Sequence, residues 1–206
     1  KPPKDTANFI RTVKKSTLVS PYALDIIFSD SIDIVEKMNG VGDVLGNHCT
    51  CENACATSDC YILKDILYSL ESDADFVPSK QYRVINTGTI GRYRDRWGIS
   101  PMRYLKDKYQ FPVVDKTAFH STFPNSYGTK PPKRKMIIKG LTLLDAALDL
   151  VGDTVPGKST MMIAIDDIIN LKIVAAFINS KVSIFYIKQR YSSSSYNGGI
   201  NFTKDM

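Results

Sequence analysis

No apolar run in this 206-residue chain approaches the roughly 20 residues that a membrane-spanning helix needs. The opening residues, Lys1 to Asp5, are not followed by the apolar core of a signal peptide. Together these absences predict a cytoplasmic protein with no membrane partner. Cysteine is missing everywhere except between His48 and Cys60, where all four residues fall: Cys49, Cys51, Cys55 and Cys60. Without secretory features, disulfides are not expected. The spacing also lacks the two separated CxxC-like clips common in zinc sites, so the four thiols make a loose metal-ligand set at most, with incidental thiols on a strand and turn as the alternative. A hydrophobic content of 43% is ordinary and supports one sizeable core without staples. The chain starts at Lys1 rather than Met and stops just after an ordered-looking segment, as expected of a piece of a larger protein.

Carboxylates are scarce between Arg83 and Lys139, and that scarcity organises the charge of the whole chain. The stretch holds thirteen cations against Asp95, Asp107 and Asp115, a local excess of +10 in a chain of net charge +6. The basicity is therefore local. Tyr82, Tyr93, Trp97, Tyr104, Tyr109, Phe111, Phe119, Phe123 and Tyr127 interleave with these cations, and rings among cations suit a nucleic-acid backbone and its bases. The competing reading is a solvated charged face whose rings turn into a core.

Taken in order, Lys1 to Phe28 reads as a polar, basic connector ending in a short strand, Tyr22 to Phe28, and residues 29–206 as the domain proper. Ser29 to Ser31 offers an N-cap to a short helix over Ile32 to Met38, closed by Asn39-Gly40 with glycine in the left-handed region. Tyr61 to Leu67 fits a strand or a short helix equally. Val84 to Tyr93 reads as a strand, a glycine turn and a second extended piece, with Gly88 and Gly91 as turn residues. Pro112 to Lys133 is loop-rich, and Lys135 to Lys139 is a strand. Asp166-Asp167 caps a helix whose Ile168, Ile169, Leu171, Ile173, Val174, Phe177 and Ile178 form a broad core face. After Asn179-Ser180 a second helix over Lys181 to Arg190 turns Val182, Ile184, Phe185 and Ile187 inward. A small-residue loop from Tyr191 to Gly199 leads to a last strand, Ile200 to Phe202.

Gly152 to Ser159 satisfies the phosphate-loop pattern GxxxxGK[ST]. The pattern binds phosphate only where a helix follows, so that helix-start amides face the anion. Ser159 to Ile165 reads instead as a strand, which makes the segment a hairpin turn with a solvent lysine and leaves nucleotide binding the lesser alternative.

Several segments in a fixed order resemble the C-terminal target-recognition domain of TaqI-like adenine-specific DNA methyltransferases and their fused type IIG restriction-modification relatives. They are Ile34 to Gly40 with Val44-Leu45; Ala54 to Tyr61; Val84 to Tyr93; Pro132 to Ile138; and Ile173 to Lys181 running into Gly198-Gly199-Ile200. Relatives often carry glycine where Ala54 and Ser58 stand. The resemblance implies an α+β fold of twisted, mostly antiparallel strands with a C-terminal helical pair. It also implies a non-catalytic domain that holds double-stranded DNA while a separate N-terminal domain of the same chain, carrying S-adenosylmethionine and an Asn-Pro-Pro-Tyr-type loop, flips and methylates adenine. Neither Lys1 to Lys4 nor Lys130 to Lys133 supplies that loop, so no cofactor is expected here.

Within that frame, Lys133, Arg134 and Lys135 are expected to neutralise phosphates, and Arg92, Tyr93 and Arg94 to enter the major groove. Asn86 and Thr87 are the polar readers beside them, and Lys188, Arg190 and Tyr191 the further backbone contacts. A type I specificity-subunit domain, or a protein-interaction domain with a basic face, would carry similar charge.

Overall fold

The structure, a computed structural model, describes residues 12, 30–142, 144–191, 195–196, 199–201 and 203–204. The expected connector and the strand over Tyr22 to Phe28 lie outside these residues, as do Phe202 and most of the serine loop. In the remainder, α1 (Ile32–Asn39) precedes β1 (Cys51–Asn53) and α2 (Thr57–Ile66), so the ambiguous run at Tyr61 is helical. β2 (Tyr68–Ser69), β3 (Gln81–Ile85), β4 (Met102–Tyr104), β5 (Asp107–Tyr109), β6 (Pro112–Asp115) and α3 (Lys116–Thr122) follow. The C-terminal part holds β7 (Lys135–Lys139), β8 (Leu141–Thr142), β9 (Ala146–Asp149), β10 (Thr154–Pro156), β11 (Thr160–Ala164), α4 (Ile168–Ile178), α5 (Lys181–Arg190), β12 (Ser195–Tyr196) and β13 (Gly199–Asn201).

The fold is α+β, with mostly antiparallel sheets and a C-terminal helical pair. One sheet runs β1-β11-β7-β9, antiparallel throughout, and a second runs β10-β3-β6-β2, in which only β10 and β3 are parallel. β7 is central in the first sheet, and Lys135 to Ile138 are buried in succession because both of its faces are covered. Met136 and Ile138 point with Met161, Ile163 and Ala146 toward Leu171 and Ala175 of α4. Ile137 and Ala147 point the other way, onto Ile85, Ile90 and the half-buried Trp97. On the second sheet, Tyr82, Val84, Val114 and Val155 pack with Cys60 and Leu63 of α2 and Phe119 of α3. α1 closes against α5 through Ile32 and Val35, with the Tyr186 hydroxyl donating to Asn39 Oδ1 at 2.6 Å.

Local chemistry sets several boundaries. Asp115, Asp167 and Ser180 each accept a backbone amide near the start of α3, α4 and α5, at 2.9, 2.7 and 3.1 Å. Gly40 ends α1 in the ordinary right-handed region at φ −87°, and it is Gly42 that takes φ +82°. Pro112 to Lys133 is not loop-rich at its start: Pro112 opens β6, and the Asp115 cap turns the chain straight into α3. The broad core face expected of α4 is narrower, because the helix meets its sheet along Leu171 and Ala175 and leaves Ile169, Ile173 and Phe177 exposed. Val182 is exposed as well, while Ser183 is buried, its hydroxyl donating to the Phe177 carbonyl at 2.6 Å. Among the described residues no single helix is long and apolar enough to cross a membrane; α4 and α5 pass by length and composition only as a pair bent by 56°.

Candidate nucleic-acid interface

The basic stretch divides into cations that the fold consumes and cations that it leaves outside. Lys135 is fully buried, its ammonium donating to Asp149 at 2.5 Å and to the Pro131 carbonyl at 2.6 Å. Burial lowers its pKa, against the pull of Asp149. Asp149 in turn accepts the amides of Gly152 and Thr154 at 2.8 and 3.0 Å. Arg83 lies between Asp153 at 2.8 Å and Asp95 at 3.6 Å. Lys130 is buried against the carbonyls of Asn53 and Ala54 and reaches Glu52 at 3.1 Å, tying the Tyr127 turn to β1. Lys139 and Arg92 share Asp145, at 3.0 and 3.1 Å.

The rings are consumed too. Tyr82, Tyr104, Tyr109, Phe119, Phe123 and Tyr127 are core residues, Trp97 and Phe111 are half-buried, and Tyr93 is 49% exposed. The interleaved surface of cations and rings expected from the sequence is therefore not formed, because the ring-bearing positions of β3, β4 and β5, and those of α3 and the turn after it, face inward.

What remains outside is concentrated on two short ribbons. The first begins at Asn86, whose side chain accepts the Gly88 amide at 2.9 Å and donates to the Arg103 carbonyl at 2.7 Å. A single helical turn then leads into a tight hairpin closed by the Ile90–Asp95 bridge, with the Gly91 amide donating to the Arg94 carbonyl at 3.1 Å. Arg92, Tyr93 and Arg94 form its tip. Tyr93 has φ +68°, a conformation costing about 1–2 kcal/mol for a non-glycine residue. It is held there by β9: its amide donates to Ala146 O at 2.7 Å and its carbonyl accepts from Leu148 at 3.1 Å. Asn179, at the end of α4, bonds both the amide and the carbonyl of the same Ala146, which fixes the helix pair to this edge.

The second ribbon is the β4–β5 hairpin, turned by Leu105-Lys106. Met102, Tyr104 and Tyr109 face the core, and Arg103 and Lys108 stand directly opposite each other on the outer face. Like charges in that position repel. The ribbon's one carboxylate, Asp107, is engaged by Lys64 of α2 at 2.5 Å, and that bond raises the pKa of Lys64. Among the described residues no ion pair reaches Arg94, Arg96, Arg103, Lys106 or Lys108.

Of the candidates read from the sequence, Arg92, Tyr93 and Arg94 are brought together at one tip. Lys133 and Arg134 are exposed ahead of β7, Arg134 donating to the Asp166 carbonyl at 3.3 Å. Lys135 is withdrawn as a phosphate contact because it is buried in its ion pair. Asn86 is withdrawn as a base reader because it is buried and its amide caps the turn. Thr87 is partly exposed next to the tip, its hydroxyl donating to the Ser159 carbonyl at 2.5 Å. Tyr191 is buried, and Lys188 and Arg190 belong to the helical layer, on the far side of the β7 sheet from the 90–97 loop. Arg103, Lys106 and Lys108 carried no individual role in the sequence reading. The signal for them was present: two cations placed symmetrically about a two-residue turn, each beside a ring that the core takes.

The other candidate sites do not assemble. Gly157 to Ser159 joins β10 to β11, so a strand follows the phosphate-loop pattern, and the Gly157 amide donates to Ile85 O at 2.7 Å. Cys49 and Cys51 pack in the core of the β7 sheet, whereas Cys55 and Cys60 pack in that of β3. Among the described residues no three His, Cys, Asp or Glu side chains group as metal ligands, and the four thiols are divided between the two cores. No protein-family model and no curated protein matches this chain.

Proposed function

We propose that this chain binds double-stranded DNA as the target-recognition domain of a restriction-modification methyltransferase, with bond-making chemistry in an adenine-specific domain that holds S-adenosylmethionine. The observation that carries the DNA reading is the pair of ribbons: Arg94, Arg96, Arg103, Lys106 and Lys108 stand outside without carboxylates, two of them opposed across a hairpin. Such repulsion is offset when a polyanion lies over the ribbon. Duplex is favoured over single strands because stacking on successive unpaired bases needs a row of exposed rings, and of the rings in the basic stretch Tyr93 alone is largely exposed. A two-stranded ribbon fits the major groove. Arg94 stands beside the strained Tyr93, where its fork could read guanine, with Arg92 held by Asp145 on the other side, while Lys133 and Arg134 would contact phosphate. The methyltransferase context rests on the ordered motifs from Ile34 to Ile200, and the same reading places the protein in the cytoplasm.

Fluorescence anisotropy with a labelled duplex and with each of its strands tests this. The duplex is expected to bind more tightly, and Arg94→Ala to lose about 1–3 kcal/mol on the preferred site, whereas Lys133→Ala weakens all sequences alike. Tighter binding of the single strands, or no binding to either, would overturn the assignment.

A further inference from the structure

Lys158, the lysine of the phosphate-loop pattern, belongs to neither ribbon, yet the turn that carries it is fixed between them. Ser159 takes φ +59°, in the left-handed region that non-glycine residues rarely adopt. Its carbonyl holds it there, accepting the Thr87 hydroxyl at 2.5 Å and the Gly140 amide at 3.0 Å. Two residues earlier the Gly157 amide donates to Ile85 O and the Gly157 carbonyl accepts the Thr160 hydroxyl, both at 2.7 Å. A Cβ at Gly157 would lie 2.9 Å from Ile85 O and 3.3 Å from the Tyr104 ring of β4. The Asn86 side chain, which starts the turn leading to the Arg92 to Arg94 tip, donates to the Arg103 carbonyl of β4 at 2.7 Å. Residues 157–159 are therefore wedged between the roots of the two ribbons.

What this turn presents to solvent is positive. Lys158 and Ser159 are both exposed. Among the described residues no ion pair reaches Lys158, and its ammonium lies instead over the Tyr61 ring of α2 at 5.7 Å. Tyr61 stands one helical turn before Lys64, which engages Asp107 of the second ribbon, and this places Lys158 beside that ribbon's flank. Among the described residues neither the Lys158 nor the Ser159 amide is hydrogen-bonded. Free amides at a turn through the left-handed region make a concavity suited to an anion.

We infer that this turn is a further phosphate contact: the Lys158 ammonium, with the amides of Lys158 and Ser159, takes one phosphodiester of the duplex between those met by the two ribbons. The inference rests on the duplex-binding reading above. One cation and two amides match the single charge of a phosphodiester. A nucleoside triphosphate carries several charges, and β11 stands where a helix start would have to face them. The Thr87–Ser159 bond ties the contact to the entry of the first ribbon, so a phosphate held at Lys158 sets the register in which Arg94 meets a base.

Fluorescence anisotropy of a labelled duplex with the whole chain, repeated over a range of salt concentrations, tests the inference. Lys158→Ala is expected to weaken all sequences alike and to make the slope of log affinity against log salt shallower by about 0.9, with Lys158→Arg retaining the parent slope. Thermal unfolding of both variants should match the parent, since the side chain is exposed, and this separates a lost contact from a lost fold. A Lys158→Ala slope equal to the parent's, where the parent's affinity does fall with salt, overturns this contact and leaves the ribbons standing. A parent that binds no duplex at any salt removes the DNA reading and this contact together. Labelled ATP with magnesium that binds the parent saturably but not Lys158→Ala would also overturn it, by making the turn a nucleotide site.

Discussion

Asp149 is the residue on which the most structure converges. Its carboxylate meets the buried Lys135 and accepts the Gly152 and Thr154 amides, so it fixes at once the end of β9, the following turn and the start of β10. Removing one partner of a buried pair strands the other charge, and Asp149→Ala is expected to cost about 3–5 kcal/mol. Lys135→Met should cost less, since the backbone donors still satisfy the carboxylate. Urea midpoints of the two variants check the order; an Asp149→Ala change no larger than that of Lys135→Met would contradict it. This pair also shows what the sequence concealed. Lys133, Arg134 and Lys135 read as one basic triplet, yet β7 is covered on both faces, so its first residue is drawn inside while its two neighbours stay out. Charge is visible in a sequence, but the carboxylate fourteen residues on that neutralises it belongs to the pairing of β7 with β9.

At the scale of elements, the β4–β5 ribbon carries a cost that the fold alone does not explain. Replacing one of two opposed cations should relieve it: Lys108→Glu, facing Arg103, is expected to stabilise the protein by about 0.2–1 kcal/mol while weakening DNA binding. Thermal unfolding and anisotropy on the same preparation check both halves, and a loss of stability would show that Lys108 is held by the fold. The helices and strands that were legible are those whose period and caps agree, such as Asp167 ahead of α4 and the apolar run of β7. β6 and α3 were hidden because Pro112 and the prolines beyond it suggest loop, whereas Pro112 merely opens a strand and Asp115 caps the helix that follows. The face of α4 was overdrawn for a different reason. Apolar residues surround most of that helix, and which of them are buried depends on the single line of contact with the sheet, which periodicity does not specify.

For the molecule as a whole, the core over the β3 sheet decides how it responds to high pH, since the buried phenols of Tyr82, Tyr104 and Tyr127 lie in it. Burial raises the pKa of Tyr82, Tyr104 and Tyr127 above the ordinary 10.0, so above that pH the unfolded chain releases protons that the folded chain keeps. Stability contributed by these phenols is fully present below pH 10.0 and falls as pH rises toward their folded values. Lys135, whose pKa is lowered, works in the opposite sense up to 10.5, one group against three. Part of the phenolate absorbance is therefore expected to be withheld until the protein unfolds cooperatively; ionisation of all eleven tyrosines with the fold intact would contradict the burial. The α+β class and the helical pair were readable from ordered motifs and caps, while the division of the basic stretch between core and surface was not, since it depends on which sheet face each ring occupies.

If, as proposed, the cations left on the two ribbons meet DNA phosphates, duplex affinity must fall as salt rises. Each phosphate contact contributes a slope of about −0.9 in log affinity against log salt. The triple variant Arg103→Ala, Lys106→Ala, Lys108→Ala should bind more weakly with a slope shallower by about 2–3. A parent protein whose affinity ignores salt, or a variant whose slope equals the parent's, would contradict the account.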